Sequence, residues 1–536
     1  MPVPWTAKRA FPSRHCRLAS FSSSSSSLSS WTQAIRSAAD LGRSRRAVYL
    51  YAHMLRSGCR PDPFAAAAAL KACARIPSKP LAAAIHGHLQ KLGFDSHVYA
   101  QTALADVYSK LDGLEAARKI FDGMPVKNVV SWNSILSMRM RAGELEAARR
   151  VFDEMPVRDV ISWNSIVSGY AKAGDMDSAA ELFDCMPERN PASYNGMISG
   201  YINRGDMGMA REFFEEMPVR SNVSWIAMIS GYTRCGDVAS AWDIFDQMEK
   251  KDLYAWNSMI AGYAQNGCPR EAIQSFNRMR KPDSGVEPDE MTFASVISAC
   301  SQLGNLRFGL WIEEYMRLLG IELDDHLRTA LVDLYSKCGG MDRAFELFSG
   351  LRRRDLVSYS AIILGCGING RSNDAIKLFQ KMLDEKVSPN AATFVGLLTA
   401  YNHAGLVEEG RRCFVSMSKN HKIAPSVDHY AIIVDLLGRS GRLEEAYQLI
   451  RKMPMQPHVG VWGALLLASR LHGNIEFGEL AARNCFKLKP EESGYYLLLA
   501  GLYAEAGKWE KAKRLRKMME AKGLYKMLGC SWVEPA

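Results

Sequence analysis

Between Val129 and Asp159 the apolar side chains fall at helical spacing in two runs. Val130, Trp132, Ile135 and Leu136 mark a first amphipathic helix, and Ala147, Ala148, Val151, Phe152 and Met155 mark a second. Glu144, Glu146, Arg149, Arg150, Asp153 and Glu154 take the wet side of that second helix. Gly143 stands between the runs, where the first helix can end in the left-handed conformation that glycine tolerates. Pro156 forbids the second helix to continue. The pattern predicts helix, tight turn, helix, tight turn.

The same pattern returns along the chain. Trp132, Trp163, Tyr194, Trp225 and Trp256 stand 31 residues apart, and Phe121, Phe152, Phe183, Phe214 and Phe245 keep the same step. Gly174, Gly205 and Gly236 repeat the stop at Gly143, and Pro125, Pro187 and Pro218 repeat Pro156. Residues 28–62 and 356–390 form units of 35 residues, and 253–289 form one of 37 with extra residues around Pro282 to Gly285. Divergent units lie near 63–97, 290–324 and 391–426, giving about thirteen units of 31–37 residues over 28–458. One helical pair cannot bury its apolar face without a neighbour, so a fixed step of this size predicts an all-α solenoid of helix-turn-helix repeats.

Composition adds a leader and excludes a membrane. With 48% hydrophobic residues there is much to bury, yet no apolar run is long enough to span a bilayer. Residues 1–27 differ from the rest: Lys8, Arg9, Arg14 and Arg17 are unopposed, no acidic residue precedes Asp40, and serine fills 22–27. This is the composition of an organellar transit peptide, whose arginine content favours the mitochondrion over the chloroplast. Removing its four cations from a net charge of +10 leaves +6. That balance suits a polyanionic partner but is too small for a nonspecific electrostatic trap.

The strings Val-Ser-Trp-Asn-Ser-Ile from Val130, Ser-Gly-Tyr-Ala-Lys-Ala-Gly from Ser168 and Ala-Ala-Arg-Arg-Val-Phe-Asp-Glu-Met-Pro from Ala147 resemble plant pentatricopeptide repeats, of the subclass that mixes long, short and standard units. Val461 to Leu466, His472-Gly473-Asn474, Gly507-Lys508-Trp509 and Gly529 to Trp532 resemble the two degenerate repeats of an E-type C-terminal extension, placing that extension at 459–536. The resemblance implies a right-handed superhelical solenoid, like that of tetratricopeptide repeats. It also implies binding of single-stranded organellar RNA, with a role in cytidine-to-uridine editing.

Many relatives continue into a zinc deaminase, whose chemistry needs a His-x-Glu motif and a Cys-x-x-Cys pair. None of the 11 histidines and 12 cysteines of this chain meets either spacing. The expectation is therefore a nonenzymatic protein without a cofactor or metal. The deaminase would come from another protein, recruited with editing accessory proteins through 459–536. Gly501 to Lys508 only partly resembles a phosphate loop, since its glycines are wrongly spaced and Trp509 stands where Ser or Thr is needed. His86 and His88 lack ligand partners at metal-binding spacing. The scattered cysteines, Cys300, Cys338 and Cys366 among them, read as small core residues.

In repeats of this type, one base is read by a few side chains of each unit. The resemblance assigns base selection to the polar residue after the repeat's aromatic and to the last residue of the repeat. The pairs are Thr32 with Asp62 for G, Thr102 with Asn128 for A, Asn133 with Asp159 for U, Asn164 with Asn190 for a pyrimidine, and Asn195 with Ser221 for C. Asn257 with Asp289 follows for U, Thr329 with Asp355 for G, and Ser360 with Asn390 for A. The target then reads roughly G-x-A-U-Y-C-x-U-x-G-A, 5′ to 3′ from the N-terminal repeat. Val130, Ile161, Ala192, Val223, Tyr254 and Val357 are assigned to sandwich the bases.

Ala67, Ile226, Ala294, Val395 and Ala431 occupy the selecting place in other units and cannot make the hydrogen bond. For the asparagines a second reading stays open, because Asn near a helix start is a common N-cap. For the whole chain, RNA stabilisation, splicing or translation are alternatives to editing. A tetratricopeptide-like protein-interaction scaffold is the alternative of another class.

Overall fold

The computed structural model describes residues 28–76, 78–94, 97–111 and 114–524. The leader at 1–27 and the Gly529 to Trp532 motif lie outside the described residues. Among the described residues there are 30 α-helices and no strand. They run in antiparallel pairs, an A helix followed by a B helix, from Leu28–Asp40 with Ser44–Arg56 to Ser493–Glu505 with Trp509–Ala521. A short 3-10 turn, Pro282–Ser284, takes up the extra residues of the longest unit. The chain divides into two compact units between Cys235 and Gly236, in the turn that joins the A helix Asn222–Arg234 to the B helix Val238–Asp246.

Local rules explain each pair. The A helix Val129–Arg141 starts at Asn128, whose side chain accepts Ser131 N–H at 2.8 Å. It ends just before Gly143, which sits at φ +77 and lets the chain turn within two residues. The B helix Leu145–Glu154 buries Ala148, Val151 and Phe152. Met155 is then extended, and Pro156 begins the turn to the next A helix.

The aromatic register is a packing contact. Phe152 meets the next unit's Trp163 edge to face at 4.8 Å, Phe183 meets Tyr194 at 5.1 Å, and in the second unit Phe245 meets Trp256 at 4.7 Å. Arg158 lies over the Phe152 ring at 4.9 Å and donates from Nε to Phe152 O at 2.8 Å. Arg189 repeats this on Phe183 and Arg220 on Phe214. Lys251 and Arg354 lie over Phe245 and Phe348. In these units the closing cation thus covers an aromatic face and, in several of them, satisfies carbonyls at the end of its B helix.

Where A helices pack most closely, side chains vanish. A Cβ placed at Gly396 would lie 2.7 Å from Leu364 Cα, and one at Gly367 would lie 2.5 Å from Gly396 O. The A helices Leu356–Ile368 and Ala391–Ala404 approach backbone to backbone there.

Gly501 lies inside the helix Ser493–Glu505, so the partial phosphate-loop motif has no loop to build. His86 Nδ1 bonds the Tyr108 hydroxyl at 2.9 Å, and burial lowers its pKa. Among the described residues no cluster of His, Cys, Asp or Glu is arranged to hold a metal ion, and no helix is long and apolar enough to cross a membrane.

Candidate nucleic-acid interface

The last residue of each unit caps the next A helix. Asp62, Asn128, Asp159, Asn190 and Ser221 in the first compact unit are all N-caps whose side chains accept a backbone N–H. Asp289, Asp355 and Asn390 do the same in the second. Asn133, Asn164, Asn195 and Asn257 lie inside their helices, beyond the first turn. Capping therefore belongs to the second member of each assigned pair, and the capping alternative for these asparagines does not hold.

In the first compact unit, four of the five assigned pairs touch. Thr32 Oγ1 donates to Asp62 Oδ2 at 3.0 Å, and Asn133 Nδ2 to Asp159 Oδ1 at 3.0 Å. Asn164 Nδ2 donates to Asn190 Oδ1 at 3.2 Å, and Asn195 Nδ2 to Ser221 Oγ at 3.4 Å. Thr102 is the exception, since its hydroxyl donates to Val98 O at 2.8 Å, one turn back in its own helix.

The second compact unit holds three pairs. Asn257 Nδ2 donates to Asp289 Oδ1 at 2.9 Å, and Asn257 Oδ1 accepts from Thr292 Oγ1 at 2.5 Å. Ser360 Oγ donates to Asn390 Oδ1 at 3.4 Å and lies 2.8 Å from Thr393 Oγ1. Thr329 behaves like Thr102, donating to Asp325 O at 2.8 Å and leaving Asp355 to its cap.

Two of the acidic members, Asp159 and Asp289, have lowered pKa values. Burial opposes the Asp159 charge, but hydrogen bonds from Asn133, Ser162 and Ile161 outweigh it and hold the pKa below the ordinary carboxylate value. Asp289 is treated the same way: burial raises its pKa, and Thr292 with Asn257 brings it below normal. A carboxylate can only accept, so Asp159 fixes which end of the Asn133 amide faces it. Asn133 Oδ1 is left buried without a partner, and so are Asn164 Oδ1 and Asn195 Oδ1. Buried acceptors are nearly always paired, so three orphans in one register set these asparagines apart from the rest of the fold.

Within each compact unit a line of exposed apolar side chains lies beside these pairs. Val130 is 61% exposed, Ile161 63% and Val223 64% in the first compact unit, and Tyr254 69% in the second. Ala192 and Val357 are exposed as well, so Val130 belongs to this line and not to its helix's core stripe. Phe64, Tyr99 and Met291 stand at the same second helical position and are equally exposed. Sequence reasoning missed these three, although counting two places on from the end of the preceding repeat finds them.

In one place the groups converge on a single cleft of about 490 Å³, lined by Ala192, Val223, Asn195, Ser221, Gly196 and Lys172 among others. Two residues assigned to sandwiching, from successive repeats, line it together with a pair assigned to base selection. Its lining is mainly apolar, with the Asn195 and Ser221 side chains among the polar groups.

Comparison with known proteins agrees with this architecture. Residues 130–160, 161–191, 192–221, 223–253, 328–356 and 428–456 match the PPR repeat model, and 251–302 and 354–403 match the PPR repeat family model. Residues 472–534 match the E motif. The fold resembles that of PPR10 in complex with an 18-nt psaJ RNA element, with a TM-score of 0.54 and 19% identity over 93% of this chain and 85% of that one. CRR2, a chloroplastic pentatricopeptide repeat-containing protein of Arabidopsis thaliana, is 32% identical over 94% of the chain, which spans 58% of that relative. The mitochondrial pentatricopeptide repeat-containing protein At2g22410 of Arabidopsis thaliana is 38% identical over 514 residues, 94% of this chain and 76% of the relative. With paired helices, mixed unit lengths and an E motif behind the array, the chain belongs to the plant pentatricopeptide repeat family.

Proposed function

We propose that the chain is a sequence-specific single-stranded RNA-binding protein of an organelle. It marks a site for cytidine-to-uridine editing and recruits, through residues 459–536, a deaminase-domain protein with its accessory proteins. The observation that carries the reading is the cleft in which Ala192 and Val223 flank Asn195 and Ser221. A base fits between the two apolar side chains with its Watson–Crick edge on the amide. The relative PPR10 was solved with an RNA element, and an E motif lies behind the array.

The pairs explain selectivity chemically. Asp159 accepts only, so the Asn133 amide keeps Nδ2 toward it, and its Oδ1, buried and without a partner in the RNA-free chain, becomes the acceptor for the N3–H of uracil once the side chain shifts to meet the base. Ser221 can donate or accept, so the Asn195 amide can turn over and present its NH2 to the unprotonated N3 of cytosine. Thr32 with Asp62 serves G, and Ser360 with Asn390 serves A. Thr102 and Thr329 must rotate off their own helices to serve A and G.

The organelle is the mitochondrion on the composition of 1–27, with the chloroplast as alternative, and relatives of both designations exist. Sequencing mitochondrial and plastid transcripts from plants lacking the protein tests the reading. One or a few cytidines left unedited is the expected result. Full editing with a missing spliced or mature transcript would replace it by a role in splicing or stability.

A further inference from the structure

In the second compact unit, the turn before Asp355 departs from the other turns. In three of the 31-residue units the closing turn reads Pro, Val and one cation, as in Pro156-Val157-Arg158. Here it reads Arg352-Arg353-Arg354. Arg354 fills the structural role, lying 5.4 Å over Phe348, donating to Ser349 O at 3.3 Å and pairing with Glu385 at 3.5 Å. Arg352 and Arg353 are surplus to that role. Their backbone N–H groups go to the Asp325 carboxylate at 3.1 and 3.2 Å, while their exposed guanidinium groups have no acceptor among the described residues.

Across the cleft, the helix Ser372–Asp384 ends with Lys386 at φ +58. Glycine occupies the corresponding left-handed position at Gly58 and Gly320, where it carries no strain. Lys386 is held there against its backbone preference, as Lys422 is at φ +56. The Lys386 side chain is exposed and also lacks an acceptor among the described residues.

These side chains line one cleft of about 540 Å³, where Arg352, Arg353, Arg354 and Lys386 outnumber the lining carboxylates of Asp355 and Glu385, with the Asp325 carboxylate held on the backbone beside them. The matching cleft one turn type earlier, at 249–253 and 283–287, has the opposite balance: Lys250 and Lys251 against Glu249, Asp252, Asp283 and Glu287. The positive balance is thus a property of this turn and not of the repeat. Asp355, one residue from Arg354, is a member of an assigned selecting pair, so the cleft opens beside the path of the bases.

We infer that Arg352, Arg353 and Lys386 form a phosphate site that grips the RNA backbone between the bases read by Thr329 with Asp355 and by Ser360 with Asn390. This rests on the RNA-binding reading above. A phosphodiester supplies the anionic oxygens that guanidinium groups bind in a fork, and the contact would hold register after the 37-residue unit.

The test uses the full chain and the synthetic strand 5′-GUAUUCUUUGA-3′, with affinity measured by fluorescence anisotropy across a salt series. Each phosphate contact to a single strand contributes roughly 0.7 to the slope of log affinity against log salt. Joint replacement R352Q/R353Q should lower that slope by about 0.7 and weaken binding about threefold to tenfold at low salt. Lys386→Gly, which relieves the backbone and keeps the fold, should act in the same direction. Lys250→Gln in the acidic cleft should leave the slope alone. A strand with a neutral methylphosphonate between its last G and A should bind the wild type and R352Q/R353Q equally.

Unchanged slope in both variants, or a methylphosphonate strand that still separates them, overturns the site. Displacement of the strand by millimolar inorganic phosphate at constant ionic strength, abolished by R352Q/R353Q, would reassign the cleft to a small anion and overturn the RNA contact. A wild type that binds this strand no better than a scrambled one overturns the parent reading instead.

Discussion

Asn133 donates its amide hydrogen to Asp159 across 26 residues of sequence, while the same Asp159 oxygen accepts the N–H of Ser162 and starts the next helix. One carboxylate oxygen therefore joins two repeats, caps a helix and orients the amide proposed to read a base. This dual use explains why Asp, Asn and Ser recur at the end of the unit, since all three are strong caps.

The two duties can be separated at Asp159. Asp159→Asn keeps a capping oxygen but frees the amide to turn, so thermal stability should stay within about 0.5 kcal/mol. Binding preference at the fourth base should relax from U to either pyrimidine. Asn133→Thr, with Asp159 kept, should move that preference from U toward G. Anisotropy with strands differing only at that base reads both, and an unmoved preference in the second variant would refute the assignment.

Acid should loosen these joints. The pKa values of Asp159 and Asp289 are lowered in the folded chain, so their stabilisation is complete above the ordinary value of 3.8 and is lost as pH falls through the lower folded values. Acid unfolding followed by circular dichroism should be less steep below that pH in D159N/D289N than in the wild type. Equal steepness would mean that these carboxylates are not linked to folding.

Arg158 should behave as a structural cation. Its contacts to the Phe152 ring and to the carbonyls of Phe152 and Asp153 leave little for a phosphate. Arg158→Ala should cost about 1 to 2 kcal/mol of stability in urea unfolding, from lost hydrogen bonds and ring contact. The salt slope of RNA binding should not change, which separates Arg158 from Arg352 and Arg353.

The sequence made the repeat legible because every unit writes the same packing problem in the same letters. Phe152 and Trp163 keep step because their rings touch, and Gly174 keeps step because only glycine turns there without strain. The asparagines were legible as a register, but their relation to the caps was not, since it depends on which helix each residue enters. Thr102 and Thr329 show a further limit. A threonine hydroxyl can bond its partner or its own helix, and only the local geometry decides. The duty of Arg158 was hidden for a similar reason, as a cation in a turn looks like solvated charge until its ring and carbonyl partners are placed. The exposed apolar line was visible in part: Phe64, Tyr99 and Met291 lie in units whose other letters diverge, so the position had to be counted and not recognised.

Close packing supplies a test of the backbone contact at Gly396. A methyl group there meets Leu364 Cα at 2.7 Å, and neither helix can yield without moving its neighbours. Gly396→Ala should destabilise the second compact unit by about 1 to 3 kcal/mol, although alanine is the better helix former. Hydrogen exchange should show the loss concentrated in the helices Leu356–Ile368 and Ala391–Ala404. A stabilised protein would show that the helices are further apart than this contact requires.

Tyr254 offers the cleanest separation of binding from folding. Its ring is 69% exposed at a position assigned to base sandwiching, so removing it leaves no core cavity, and stability should change by less than about 0.5 kcal/mol. If the ring stacks on a base, Tyr254→Ala should cost about 1 to 3 kcal/mol of RNA affinity. The loss should be similar for any base at the adjoining positions, because stacking uses the face and not the edge. Asn257→Ala in the same repeat should instead flatten the preference among bases at the position read with Asp289. A Tyr254→Ala variant that binds RNA at wild-type strength would remove this side chain from the interface, and a loss that depended on base identity would make it a reader.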